Sequence, residues 1–422
     1  MRGMAQSGHE TKHVVVIGAG IIGVSTGIWL RRAGIPVTLI DRSGPGQATS
    51  YGNAGVLAAC SVTPVTAPGL IGKAPRMLMN PDFPLFMRWS YLPRLAPWLV
   101  RYLSHANDTD TRRIARGLTP IISDSVAQHH ALSDGTPAEA LVQDSDYCFA
   151  YADRAAFEAD SYTWELRELA GFRPVVREGA QLREYEPSLG NDIGCLVSVS
   201  DHGFVRDPGG YVARLADVFR GMGGTIVEAS AENFDLSGGR IRALETSAGR
   251  FECSDCVIAT GAWSKPLMKK LGLDVPLESE RGYHIIFENA RNGPRAPTMV
   301  ASGKFVATPM ESGVRCAGIV EFGGLDARPS RSPLTLLRRQ VRRAFPHLEA
   351  SGEKEWLGHR PAPADSLPLI GEVGTTGVYT AFGHHHIGLT SGPKTGRLLA
   401  DMLAGMPATI DLAPYAPDRF RA

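Results

Sequence analysis

The chain has almost no surplus of charge of either sign: 44 lysines and arginines stand against 43 aspartates and glutamates over 422 residues, a formal net charge of +1. No long-range field would draw nucleic acid to such a surface, and no basic run marks a tail. Cysteine is scarce. The six residues (Cys60, Cys148, Cys195, Cys253, Cys256 and Cys316) lie far apart in a chain of enzyme size, which argues against a disulfide framework. Cys253 and Cys256 form a CxxC, but FECSDCVIAT reads as a strand. A redox or zinc role needs a helix N-terminus or a second ligand pair there. Long apolar runs are also missing. The longest, Val14 to Leu30, is interrupted by Gly18, Gly20, Gly23 and Gly27, and a spanning helix needs more length and less glycine. The N-terminal MRGMAQSGHETK is polar and lacks the apolar stretch of a signal peptide, so a cytoplasmic location is expected.

What the chain does have is glycine, 47 residues of it, with 43% hydrophobic residues, as suits an α/β enzyme rich in tight turns. Its length suits two joined domains. The opening is the most legible part. His13 to Ile17 is a β-branched run, as in a strand buried on both faces of a parallel sheet. Gly18-Ala19-Gly20-Ile21-Ile22-Gly23 follows, then a helix through Arg32 and a second strand from Pro36 to Ile40, ending at Asp41. GxGxxG in a strand–turn–helix context with a downstream acid is a dinucleotide fingerprint. Gly18 permits the sharp turn, Gly20 lets backbone approach a pyrophosphate, and Gly23 lets helix pack on strand. The helix N-terminus offers free N–H groups to phosphates. Asp41 would accept from ribose hydroxyls.

The fingerprint alone does not separate FAD from NAD. Two features favour FAD. Only one fingerprint is present, so there is no second site from which a nicotinamide could reduce a bound flavin. The strand Cys256–Ile258 also runs into Ala259-Thr260-Gly261-Ala262-Trp263-Ser264, a small-residue turn where backbone can approach the dinucleotide again. Further along, Arg112–Leu132, Ala155–Leu169, Pro208–Met222, Leu334–Phe345 and Ser391–Leu403 read as helices. Thr225–Val227 and Asp255–Ile258 read as strands, Phe234–Arg250 as a hairpin. Tyr283–Glu288, Met299–Ala301, Lys304–Pro309 and Gly313–Val320 read as antiparallel strands. The expected fold is α/β: a Rossmann-like FAD-binding domain from residues 13–68, 207–275 and 355–415, with an antiparallel-sheet substrate domain from 69–206 and 276–354.

GAGIIG…ID, ATSYGNAG (48–55), ERGYHIIF (280–287), GHRPAPADSLPLIG (358–371) and GHHHIGLTSGPKTG (383–396) stand in the order seen in the D-amino-acid oxidase superfamily. Across nearly its whole length the chain resembles the bacterial D-amino acid dehydrogenases and D-hydroxyproline-dehydrogenase-like proteins of that superfamily. The resemblance implies FAD contacts at Gly18, Gly20, Ile21, Ile22, Gly23, Asp41 and Arg42, with Thr49 and Ser50 at the pyrophosphate. It implies Asn53, Ala54, Gly55, Val56 and Leu57 along the isoalloxazine, Ala231 at the adenine, and contacts from Thr260, Gly261, Trp263 and Gly383. Ile387, Gly388, Leu389 and Thr390 would lead a helix N-terminus toward the flavin N1–C2 carbonyl, where it favours the negative charge of the reduced ring.

For the substrate, Arg360 is the expected carboxylate clamp, since a guanidinium matches a carboxylate in geometry and charge. The competing reading pairs Arg360 with Asp365. Tyr283 could close over the substrate, and His284 could accept from its amine or else be core. His384 is placed near the flavin edge and His386 as structural. Adjacent His384, His385 and His386 cannot converge on one ion, so no metal is expected. The stretch Arg76–Leu103 interleaves Phe83, Phe86, Trp89, Tyr91, Trp98 and Tyr102 with arginines. That suits peripheral contact with the inner face of the cytoplasmic membrane, or else a helical cover on the substrate domain.

These readings predict oxidative deamination of a small amino acid, a D-amino acid first of all, with D-proline or hydroxyproline types included. The α-hydrogen would pass as hydride to flavin N5, with a quinone-type acceptor downstream. Position and electrostatics suffice for that step, consistent with the lack of a conspicuous carboxylate pair. The alternatives are an oxygen-using oxidase of glycine, sarcosine or another secondary amine, and a non-catalytic flavin-stabilised binding or assembly subunit.

Overall fold

The computed structural model describes residues 12–72, 80 and 82–421. Val14–Ile17 is buried on both faces and centres a six-stranded sheet. The order is Leu369–Glu372, Val378–Phe382, Asp255–Ile258, Val14–Ile17, Val37–Asp41 and Thr225–Glu228. All neighbours run parallel except the first pair. The helix Ile21–Arg32 starts at Gly20, and its Ile21 N–H donates to Ser50 Oγ (3.0 Å). Its inner face packs on the helix Gly388–Leu403, so closely that a Cβ on Gly396 would meet Thr26 N at 2.6 Å. The two ends of the chain therefore share one layer.

A second sheet holds ten strands, eight of them in the order Gly352–Pro363, Leu277–Glu288, Gly313–Phe322, Phe305–Met310, Thr298–Val300, Val142–Tyr151, Cys195–Val205 and Val56–Leu57. It is antiparallel as expected apart from two parallel pairings, Thr298–Val300 with Val142–Tyr151 and Leu85–Met87 with Gly313–Phe322. The expected boundary at residue 355 falls inside Gly352–Pro363, whose whole length pairs with Leu277–Glu288; the change of sheet comes after Pro363. The expected hairpin at 234–250 is three-stranded, Ala231–Ser237, Arg240–Thr246 and Gly249–Glu252. The helix expected over 112–132 is two helices, Asp108–Ile122 and Ser125–Ser133, with Asn107 capping the first by accepting from Asp110 N–H.

All six cysteines, Cys253 and Cys256 included, are buried and free. No helix among the described residues is long and apolar enough to cross a membrane. Of the aromatic stretch, residues 76–79 and 81 lie outside the described residues. Its helix Leu92–Ser104 turns Leu95, Trp98 and Tyr102 inward. Trp98 is only 5% exposed, donates from its indole N–H to Ala362 O (2.9 Å) and stacks on Tyr102. A tryptophan so placed cannot enter a lipid surface. Trp89, 66% exposed, is the outward one.

Candidate active site

A single continuous cavity of about 1030 Å³ runs between the two sheets. Its first wall is the glycine turn. Gly18 has φ +107°, and a Cβ there would meet Ala259 O at 2.5 Å, so glycine is required twice over. A Cβ on Gly23 would stand 1.8 Å from Gly18 O, which is what lets the helix sit on the strand. Asp41, at the end of its strand, accepts from Ala19 N–H (2.7 Å) and Ser43 N–H (2.9 Å). Oδ1 also accepts from the Ser43 hydroxyl (3.4 Å), while Oδ2 keeps a second lone pair for a ribose hydroxyl. Arg42 lies over the Trp263 ring (4.2 Å to its centroid), and Thr260, Gly261 and Ala231 complete this end. The cradle that glycine leaves open, the helix N-terminus and the acid are the fittings an FAD dinucleotide needs.

Toward the second sheet, Thr49 donates to His359 O (2.9 Å) and Asn53 Oδ1 accepts from Gly55 N–H (2.8 Å), fixing the loop of small residues. Gly388–Thr390 form the first turn of the helix Gly388–Leu403 rather than preceding it, and they line the cavity with Ile387. That helix N-terminus faces the cavity, where it would favour negative charge on a bound ring. Of the expected cofactor residues, Gly23, Gly55, Leu57 and Gly383 do not line the cavity. Gly55 and Gly383 hold positive φ, Gly23 sets packing and Leu57 is core.

Arg360 reaches the cavity from the edge strand Gly352–Pro363. Its guanidinium lies across the neighbouring strand, where a Cβ on Gly282 would stand 2.6 Å from Cζ. The pairing with Asp365 does not occur: Asp365 is bound by Arg419 (2.7 Å). Glu280 is Arg360's register partner and the acid that acts on its charge. Burial lowers the guanidinium pKa and Glu280 opposes it. Burial also opposes charge on Glu280, but His385, Arg360 and His386 together hold its carboxyl below the usual range. His385 takes a left-handed φ of +49° and brings Nε2 within 3.0 Å of Glu280, though not aligned as a hydrogen bond. His386 faces the cavity. No group of metal-ligating side chains occurs among the described residues.

The other expected substrate residues are placed differently. Tyr283 lines the cavity but is held there, its hydroxyl donating to Glu321 Oε2 (2.6 Å) and accepting from Ser330 N–H, so it is not free to close over a substrate. His284 lies beneath the cavity wall, stacked on Trp356, with Nδ1 3.0 Å from Gly52 O. His384 lines the cavity and is tied to Thr395 Oγ1 (3.0 Å) in the middle of the helix Gly388–Leu403. Sequence reasoning missed Glu280, Trp356 and the buried Arg315, which donates to Tyr51 O and Asn53 O and pins the flavin-side loop. A lone arginine within the apolar strand Gly313–Phe322 was the available signal.

Burial depresses the pKa of His129 to about 4, and of His284 and His384 to about 3. Arg315 adds to the effect at His284. Each folded value lies below the unfolded value near ~6.5, so the unfolded chain binds more protons as pH falls below it, and stability drops toward the folded values. Above the unfolded value these groups change nothing. The thermal midpoint should therefore fall steadily from pH 7 to pH 5, with about 1–2 kcal/mol lost per imidazole, and stay level from pH 7 to 8. A midpoint unchanged at pH 5 would contradict the buried neutral assignment.

The fold and the site together define an oxidoreductase that works through a bound dinucleotide. The sequence model of the DAO family, described as "FAD dependent oxidoreductase", matches residues 13–402, and the chain belongs to that family. It is 40% identical over 97% of its length, and 99% of the relative's, to a "D-amino-acid oxidase" of Bradyrhizobium diazoefficiens. It is 29% identical to a "D-amino acid dehydrogenase" of Paramagnetospirillum magneticum, covering 96% and 98%. Among solved structures it is similar to glycine oxidase from Geobacillus kaustophilus, with TM-score 0.72, 20% identity, and 98% and 100% of the chains covered. L-Proline dehydrogenase from P. horikoshii gives TM-score 0.73 at 18% identity, covering 97% and 98%; these two likenesses concern the fold.

Proposed function

We propose that the protein oxidises a free D-amino acid to the corresponding imine, which water hydrolyses to the 2-oxo acid and ammonia. The observation that carries this reading is Arg360: a sheltered guanidinium lying across Gly282, without the Asp365 partner, in the cavity that the dinucleotide fittings line. Bound FAD supplies the acceptor for the two electrons and the α-hydrogen. Arg360 holds the substrate carboxylate, and Glu280 and His385 brace Arg360 from behind. Val306, Met299 and Ala317 present an apolar wall that keeps water from the reacting carbon. His384 acts as a positioning residue for the helix Gly388–Leu403, and no acid–base side chain is assigned.

The D configuration is favoured by the names of the relatives at 40% and 29% identity. The quinone acceptor drew on the resemblance to dehydrogenases, the single nucleotide fingerprint and the aromatic stretch, and the inward Trp98 and Tyr102 weaken the last of these. Dioxygen is the better supported acceptor, given the 40% identical relative named an oxidase; the more distant relatives named dehydrogenases and the exposed Trp89 and Val100 are what favour a membrane quinone. An anaerobic screen should bleach the flavin with D-amino acids and not with their L enantiomers. Under air, hydrogen peroxide should then form in a 1:1 ratio to 2-oxo acid, as the two-electron balance requires. Bleaching only by glycine or sarcosine would favour the secondary-amine alternative. Reduction of a quinone without peroxide would restore the dehydrogenase reading, and no bleaching by any amine would leave a binding subunit.

A further inference from the structure

The reaction proposed above releases a proton that no side chain has yet received. An amino acid near neutral pH carries an ammonium group, and hydride loss from the α-carbon needs the nitrogen lone pair that this proton occupies. The short turn His385–Ile387 offers a place for it. His386, read from sequence as structural, opens onto the cavity. Behind it runs a chain of close contacts: His386 Nδ1 lies 2.6 Å from His385 Nδ1, and His385 Nε2 lies 3.0 Å from Glu280 Oε1. His385 and Glu280 are both buried. The left-handed φ of +49° at His385 turns its ring between the two, a strained backbone of the kind that persists at functional sites. These contacts fix where the hydrogens stand. Two Nδ1 atoms so close must share one hydrogen. If His385 carried its hydrogen on Nδ1 alone, its Nε2 lone pair would stand against the Glu280 carboxylate. The carboxylate therefore keeps a hydrogen on His385 Nε2, and the shared hydrogen belongs to His386 Nδ1. His386 Nε2, on the ring edge away from His385, is left with a lone pair.

We propose that His386 Nε2 takes the ammonium proton of the bound amino acid, and that the positive charge passes through the Nδ1–Nδ1 contact to His385 beside Glu280. This rests on the reading of Arg360 as the clamp for the α-carboxylate. The substrate N–H bond breaks with its electron pair kept on nitrogen. The α-hydrogen then leaves with the C–H pair to the two-electron acceptor that bound FAD supplies, and the C=N bond of the imine forms. The proton returns to water when the product departs. Passing the charge inward matters because His386 is a poor resting place for it. Burial first, then the charge of His385 and Arg360, lower its pKa to about 3, with Glu280 opposing. On His385 the charge stands against a carboxylate instead. Arg360, from the strand Gly352–Pro363, is the other charge that acts on this group, while His384 is tied to Thr395. Glu280 acts in turn on Glu278 of its own strand and on Tyr102 of the helix Leu92–Ser104.

The test is the pH dependence of kcat/KM with D-alanine and D-methionine, in the wild-type holoenzyme and in His386→Gln, which keeps the polarity but takes no proton. With a base in place the zwitterion reacts directly, so the wild-type profile should be level from pH 7 to 8. Without one, only amine that is already neutral reacts. The variant should then be about a hundredfold slower or worse at pH 7 and recover about tenfold per pH unit. A deficit of the same size at every pH would mark a merely structural role and overturn the proposal, as would equal rates at pH 7. Imidazole 15N spectra of the histidine-labelled, oxidised wild-type holoenzyme need neither variant nor substrate. They should show His386 protonated on Nδ1 and bare on Nε2, and the reverse tautomer would overturn the proposal. If glycine or sarcosine alone reduces the flavin, the D-amino acid reading fails, and the same profile taken with that amine still supports or overturns the role of His386. If no amine reduces it, both fall.

Discussion

Replacing Arg360 with alanine is expected to leave FAD content unchanged while kcat/KM for D-amino acids falls by roughly two to three orders of magnitude or more. A charged pair in a sheltered site is worth about 2–5 kcal/mol when one partner is truncated. The loss should be large because the guanidinium already sits across Gly282, aimed into the cavity, so its entropy of ordering is met before substrate arrives. It should be confined to substrate because Arg360 belongs to the second sheet, away from the glycine turn. Removing it also leaves buried Glu280 with only His385 and His386 to offset its charge. Arg360→Lys should recover part of the loss, since it returns charge without the planar fork. Unchanged kinetics in Arg360→Ala, or flavin lost in step with activity, would contradict the clamp.

Gly23→Ala should be as damaging to the folded state as Arg360→Ala is to catalysis. The added methyl would stand 1.8 Å from Gly18 O, a backbone atom with no rotamer to move. Overpacking of this kind costs about 3 kcal/mol or more when the neighbour cannot relax. Moving the helix Ile21–Arg32 outward also moves its N-terminus from the pyrophosphate position, so the purified variant should be colourless as well as less stable. Gly221→Ala is the control: nothing lies within 4 Å of its Cβ, and its φ is ordinary. It should retain flavin and gain slightly in midpoint, because alanine is the better helix residue. Flavin-to-protein ratio and thermal midpoint together check both variants.

Local signals made the nucleotide half legible. The run Val14–Ile17, the turn at Gly18 and the acid at Asp41 each depend on near neighbours in sequence, and the structure reproduces them nearly residue for residue. Gly352–Pro363 escaped notice because Pro361 and Pro363 read as loop; they are tolerated on the edge of the second sheet, where only one side of the strand must pair. Val142–Tyr151 was missed because its first half alternates irregularly between polar and apolar residues. The place of Arg360 on the cavity was legible, and so was its geometry in principle: a glycine inside the strand Leu277–Glu288 signals close approach, here by Arg360. The inward turn of Arg167, which stacks on Phe149 and Trp164 from the helix Ser161–Leu169, was not, because charge on a helix says nothing about which side faces inward until the rings are placed.

The six-stranded sheet also dictates when the molecule can come into being. Its central strand Val14–Ile17 lies beside Asp255–Ile258, which lies beside Val378–Phe382, and the helix behind the glycine turn rests on Gly388–Leu403. On the ribosome, the pair Val14–Ile17 and Val37–Asp41 therefore emerges long before Asp255–Ile258 exists, and the other edge of the first strand stays unpaired until well past the midpoint of synthesis. The loops that must close to pair these strands are among the longest the chain offers, which slows the final assembly. Flavin cannot template the early steps, because the cradle is complete only once the last long helix has left the exit tunnel. Yield in cells should consequently respond more to temperature and to holdase chaperones during translation than to the supply of riboflavin.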